Sequence, residues 1–213
     1  MATNWSEAFQ PLIKQYKNKK HPLEYRSKYQ LTVMVILSAQ DSDKHINQVA
    51  PEFFKKYPSM KHLAKAKPEE LHKIIGSVRN FGNKSKWLVV LAQKVKDDAN
   101  IPGTMETLTE LSGIGRKSAN VIIRESGGEA EGVIVDLHVV RVVPRLGIID
   151  SDKPDKIEKE LMKLVPQKYW NGLGMAISFL GREICRPTNP NCPACVMNTV
   201  CAYYKASKKG KRI

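Results

Sequence analysis

The chain has 213 residues, 42% of them apolar, enough to bury a core as one unit or as two small domains without help from disulfides. Its formal charge is +14, and the 35 Lys and Arg are spread along the whole length, so its field attracts polyanions such as nucleic acid, although a plain solvated basic surface has the same composition. The N-terminal MATNWSEAFQPLIKQYKNKK has no basic segment leading into a long apolar stretch, and no apolar run approaches the ~18 residues of a membrane span; neither a secretory signal nor a membrane span is expected, and the expected location is cytoplasmic.

In chain order, the first strong pattern is Val33-Met34-Val35-Ile36-Leu37, which is β-branched enough to pass for a buried strand as readily as for a helix. Asp43 is expected to cap a helix with an inward stripe of Ile46, Val49, Phe53 and Phe54, ended by Tyr57-Pro58. Pro68 fits the first turn of the next helix, with Leu71, Ile74 and Ile75 inward, and Trp87, Leu88, Leu91 and Val95 form a further stripe. Thr104 can cap a short helix running through Leu108 and Leu111. Ser112-Gly113-Ile114-Gly115 then breaks the pattern, and Arg116 to Arg124 resumes it. Val133-Ile134-Val135 again reads as strand or helix. Ile157, Leu161 and Leu164 precede the stop at Pro166, and Trp170, Leu173, Ile177 and Leu180 follow. The period is helical nearly throughout, which predicts an all-α fold. From Lys205 the composition turns small, polar and basic, which predicts a disordered, phosphate-seeking tail over 205–213.

Two segments have the makings of a site. The Gly113/Gly115 turn between helices is either an ordinary connection or a place where backbone approaches a ligand and the next helix directs its first N–H groups at an anion such as a phosphate. Lys117 lies just inside that second helix, where the positive dipole end and neighbouring Arg116 disfavour its ammonium form. It is either one of many surface lysines or an amine nucleophile. Asp136 emerges from the apolar run Val133–Val135 at an expected helix start, as a cap, a catalytic carboxylate, or both.

All four cysteines fall in the last 29 residues, Cys185, Cys192, Cys195 and Cys201, in the spacing C-x6-C-x2-C-x5-C. Clustering of every thiol in one segment points to a metal site, with uncoordinated cysteines the lesser alternative, and four thiolates suit zinc or a [4Fe–4S] cluster alike. A zinc ribbon pairs two tight knuckles, whereas only one pair here is tight, so the spacing fits wrapping around a cube better.

With those residues in view, the chain resembles the endonuclease III family of the helix-hairpin-helix DNA glycosylases. The likeness rests on Leu111-Ser112-Gly113-Ile114-Gly115-Arg116-Lys117-Ser118-Ala119-Asn120, on Val135-Asp136-Leu137-His138-Val139-Val140-Arg141-Val142, on the four cysteines, and on Leu37-Ser38-Ala39-Gln40, and it spans roughly residues 22 to 204. It implies two all-helical domains: a six-helix barrel over 22–130 and an iron–sulfur cluster domain made of 1–21 with 131–204. It further implies a [4Fe–4S] cluster on the four cysteines, Lys117 as Schiff-base nucleophile and Asp136 as its assisting carboxylate. Gln40, Arg79, Asn80, Gly113, Gly115, Arg116 and His138 would contact DNA, Gln40 filling the gap left by a flipped base. The implied activity is removal of damaged bases, oxidised pyrimidines foremost, from double-stranded DNA with β-elimination at the abasic site, by a monomer on the bacterial or archaeal nucleoid.

Three positions depart from the family pattern: Ser112 where the hairpin usually has Pro, Leu137 where Thr usually follows the aspartate, and Val78-Arg79-Asn80-Phe81 where a glycine-leucine wedge usually precedes an aromatic. The last bears on how the stack is invaded, and Arg79 and Asn80 are expected to hold the orphaned base by hydrogen bonds. Two other readings compete. One is the mismatch glycosylase of the same superfamily, which lacks lyase chemistry; Lys117 and the end of the chain at Ile213, without an added recognition domain, count against it. The other is a non-catalytic helix-hairpin-helix DNA-binding module, which does not require Lys117 and Asp136 together.

Overall fold

The structure is a computed structural model that describes residues 3–208, and every regular element among them is an α-helix or a short 3₁₀ turn. The chain divides into two compact units, Lys20–Gly128 and a second formed by Met1–Lys19 with Glu129–Ile213. In chain order α1 (Trp5–Ala8) and α2 (Gln10–Tyr16) come first. The Lys20–Gly128 unit then contains α3 (Lys28–Leu37), α4 (Asp43–Lys56), α5 (Met60–Leu63), α6 (Pro68–Ile75), α7 (Phe81–Val95), α8 (Met105–Thr109) and α9 (Arg116–Glu125). The discontinuous unit is completed by α10 (Leu137–Leu146), α11 (Pro154–Leu164), α12 (Trp170–Glu183) and α13 (Ala202–Lys208). No helix among the described residues is long and apolar enough to cross a membrane.

Within Lys20–Gly128, α3 resolves the ambiguity of Val33–Leu37: the segment is helical, and every residue from Leu31 to Leu37 is buried. A helix surrounded on all sides shows no polar face and hence no 3.6-residue period, so β-branched residues that would favour a strand are held helical by packing against α4, α7 and α9. Ser27 starts it, its hydroxyl accepting the Gln30 N–H at 3.2 Å. Capping of α4 differs from expectation. Ser42 is the cap, accepting the His45 N–H at 3.2 Å, and Asp43 lies in the first turn, where its charge still favours the N-terminal end of the helix. The buried stripe of α4 is Ile46, Ala50 and Phe53, with Val49 and Phe54 half-buried at its edge.

In the other unit α12 is the central element, buried continuously from Leu173 to Gly181 and packed on α2 and α10. Two of its glycines set how near its neighbours come. A Cβ on Gly174 would lie 2.5 Å from the Ile134 carbonyl oxygen, and one on Gly181 would lie 2.8 Å from His138 Cβ. Val133–Val135 is thus neither strand nor helix but a buried irregular segment whose Ile134 backbone lies against Gly174 of α12, and it leads into Asp136 at the start of α10.

The expected disorder from Lys205 does not hold for residues 205–208. They belong to α13, which begins beside the last cysteine, with the Lys205 N–H donating to the Cys201 carbonyl at 3.1 Å and Lys208 lying over the Tyr204 ring. Local backbone bonding and ring contact outweigh the polar composition there. Residues 209–213 of the expected tail lie outside the described residues.

Candidate functional site

The glycine hairpin belongs to the Lys20–Gly128 unit. Thr104 caps α8 as expected, accepting the Thr107 N–H at 3.4 Å, and Leu111 and Ile114 are buried beneath the turn. Gly113 has φ +83, and a Cβ there would press on Trp87 and on Ile36 at 3.2–3.3 Å, so both conformation and space demand glycine. Gly115 serves a different purpose. It is the N-cap of α9, supplies no side-chain acceptor, and has open space where its Cβ would be, which leaves the positive end of a ten-residue helix approachable by an anion. Arg116 and Lys117 follow in the first turn, both exposed, while Ala119 to Ile123 anchor the helix in the core. Ser112 takes the usual proline's place without disturbing the turn, the Ile114 N–H reaching the Leu111 carbonyl at 3.1 Å.

Asp136 belongs to the other unit, and it is a helix cap that keeps a second oxygen in reserve. Its Oδ1 accepts the N–H groups of His138 (2.9 Å) and Val139 (3.0 Å), satisfying two orphan donors of α10. Its Oδ2 accepts the Ser178 hydroxyl at 2.6 Å and stands 3.8 Å from the Arg182 guanidinium. The carboxyl side chain is 13% exposed, so it is oriented by three hydrogen-bond donors and a nearby guanidinium yet still reachable. Ser178 and Arg182 were not identified as site residues from sequence; the available signal was a serine set among apolar residues in Ala176-Ile177-Ser178-Phe179-Leu180, and the structure shows it fully buried. Leu137, next to the carboxylate, is 70% exposed, an apolar side chain turned outward at the site.

The helix that Asp136 caps continues to the cysteines. Arg141 Nε donates to the Cys185 carbonyl at 3.1 Å, its guanidinium also donates to the Gly181 carbonyl at 2.8 Å, and it lies 3.2 Å from His138 Nδ1. One turn on, Arg145 donates to Cys185 Sγ at 3.5 Å and to the carbonyls of Arg186 and Pro187, with its guanidinium over the Tyr203 ring. Cys201 Sγ lies 3.3 Å from the Arg145 carbonyl. All four cysteines are free thiols lining one hollow together with Arg145 and Tyr203. Burial pushes the thiols of Cys192, Cys195 and Cys201 up, Cys195 to about 11, so they favour the protonated form unless a cation draws them to thiolate. Among the described residues no three His, Cys, Asp or Glu side chains close on one point as a lone ion requires.

Gln40, Arg79 and Asn80 are all exposed, on two turns of the Lys20–Gly128 unit, and Gln40 and Asn80 adopt left-handed backbone at φ +60 and +59. His138 is half-buried at the start of α10.

Residues 33–167 match the family model for the HhH-GPD superfamily base excision DNA repair protein. Over 92% of the chain and 90% of the relative, the sequence is 37% identical to the endonuclease III of Synechocystis sp.; it is 34% identical to that of Bacillus subtilis over 88% and 87%. The structure superposes on a non-covalent endonuclease III–DNA complex with a TM-score of 0.87 at 30% identity, covering 98% of this chain and all of that one. A trapped endonuclease III–DNA covalent intermediate matches equally well, at 30% identity and a TM-score of 0.87.

Proposed function

This chain belongs to the endonuclease III family of base excision repair enzymes, and we propose that it uses Lys117 and Asp136 to remove damaged pyrimidines from double-stranded DNA and to cut the resulting abasic site. The observation that carries the reading is the exposed amine of Lys117 in the first turn of α9, behind a glycine-capped helix end suited to a phosphate, in a chain whose relative forms a covalent intermediate with DNA.

A stacked base is out of reach, so the nucleotide is flipped from the helix before chemistry. The Lys117 amine then forms a bond to C1′ as the glycosidic bond breaks and the base leaves with the bonding electrons. Asp136, held by its three hydrogen-bond donors, offers a fixed negative charge to the sugar as positive charge develops on it. Loss of the amine proton and ring opening leave an imine at C1′. That imine acidifies the C2′ proton, whose removal expels the 3′ phosphate, and water then releases Lys117. The hairpin amides and Arg116 hold the strand by its phosphates, a sequence-independent term that positions the reacting nucleotide. Nicking of single-lesion duplexes by the purified protein tests this: oxidised pyrimidines are expected to be cut and the undamaged duplex left intact. No cleavage of any lesion would return the chain to a DNA-binding module.

For the cofactor, the donor set fits a [4Fe–4S] cluster on Cys185, Cys192, Cys195 and Cys201: four thiols ring one hollow without converging on a single point, and Arg145 and Arg141 face Cys185 with positive charge. Such a cluster would supply a structural cross-link and compact charge for the loop between α12 and α13. The chain's own contribution is to hold that loop against α10, the helix that Asp136 caps. Aerobically purified protein is expected to be yellow-brown with about four irons per chain. One zinc and no iron would overturn the assignment. A single copy of the chain acting on double-stranded DNA completes the reading.

A further inference from the structure

We propose that Asp41 and Lys84 are positioning residues that lock the Gln40 turn and the Arg79–Asn80 turn into one preorganised element, which enters the opened duplex as a unit. The proposal rests on the reading of Gln40, Arg79 and Asn80 as the residues that invade the stack.

Gln40 and Asn80 both hold left-handed backbone without being glycine. Such conformations persist where the surroundings over-determine them, and they gather at sites where placement matters. Here the surroundings are a polar network that runs from the surface to the buried Lys84 ammonium. Asp41 Oδ1 accepts the Ser42 N–H and meets His45 Nδ1, each at 2.8 Å, while its Oδ2 accepts the Arg79 N–H at 2.9 Å, joining two turns 38 residues apart. His45 Nε2 lies 3.0 Å from the Ser77 hydroxyl, a second tie between α4 and the turn before α7.

Lys84 completes the lock from below. It is 1% exposed, and its ammonium donates to the carbonyls of Leu37 and Ala39, both at 2.7 Å, at the end of α3 where carbonyls have no partner within the helix. Its own N–H donates to the Asn80 carbonyl at 3.1 Å, and Asn83 Nδ2 donates to Asn80 Oδ1 at 2.9 Å. One turn of α7 therefore grips both loops. Burying an ammonium is costly, and an apolar side chain would fill the same space, so what Lys84 adds is fixed placement of two backbone segments. Above this network Gln40, Arg79 and Asn80 all face solvent. Polar groups fixed in advance lose little freedom on meeting an orphaned base, and they penalise a base whose edge does not match.

Asp41 is the residue to change, because it lies outside the apolar core. The measurement is β-elimination on one abasic strand, presented in duplex and as a single strand, with thermal denaturation alongside. The single strand has no orphaned base to grip, so it reports chemistry alone. Asp41→Ala is expected to lower the duplex rate at limiting enzyme by about tenfold, to leave the single-strand rate within about twofold, and to flatten the preference among opposite bases. Asp41→Asn keeps an oxygen for the Arg79 N–H and is expected to recover most of the duplex rate. A joint fall of both rates would make Asp41 merely structural and overturn the proposal. If the Gln40→Ala/Asn80→Ala double variant loses duplex selectivity while Asp41→Ala keeps it, the lock alone is refuted. If the double variant also behaves as wild type, the assignment of the two turns falls, and the proposal with it.

Discussion

Lys117→Gln is expected to abolish strand cleavage, lowering β-elimination by roughly 10³-fold or more, because glutamine has no amine to form an imine. The substitution is mild for the fold. Lys117 is exposed in the first turn of α9, and glutamine is as good a helix former there. The groups that approach phosphate also survive, since Gly113, Gly115 and Arg116 are untouched, and binding to abasic duplex is expected to stay within a few-fold of wild type. Borohydride supplies the direct readout. Reduction of the imine should trap wild-type protein covalently on damaged DNA, and the variant should give no adduct. An adduct formed by Lys117→Gln would mean that another amine is the nucleophile. Loss of binding together with loss of cleavage would mean that Lys117 acts chiefly as a phosphate contact.

Asp136→Asn is expected to cost about 10²-fold in rate while leaving the protein folded, and its contacts explain both halves of that expectation. The asparagine oxygen can keep the two N–H bonds from His138 and Val139 that Oδ1 now accepts, so α10 stays capped. The amide nitrogen would replace Oδ2, donating to the Ser178 hydroxyl instead of accepting from it, and the negative charge facing Arg182 is gone. Asp136→Ala removes cap and charge together and should lower stability by a further ~1 kcal/mol. Comparing melting midpoints and single-turnover rates for the two variants separates the cap from the catalyst. Full activity in Asp136→Asn would leave the carboxylate a structural cap, with the cleavage chemistry resting on Lys117 alone.

Much that bears on function was legible because it is encoded over short spans. The two-glycine turn, the lysine two residues beyond it, and the thiol spacing from Cys185 to Cys201 are local patterns, and the helical stripe of α6 and the Thr104 cap of α8 depend on residues within one or two turns. Backbone conformation and periodicity of this kind are set by sterics and by burial of a single face.

Tertiary structure decided what local pattern could not carry. Val33–Leu37 is a helix because seven consecutive residues are enclosed by other helices, and enclosure erases the period by which a helix is recognised. Val133–Val135 is neither strand nor helix, and its place is set by Gly174, some forty residues later, where α12 comes onto the Ile134 backbone. Asp136 gains Ser178 and Arg182, Cys185 gains Arg145, and Arg79 gains Asp41, each from a partner about 40 residues away. No propensity predicts such pairs, because a hydrogen bond across that distance exists only when packing of the intervening chain brings donor and acceptor within about 3 Å. The sequence by itself determined which residues could do chemistry, and packing determined which neighbours hold each of them in place.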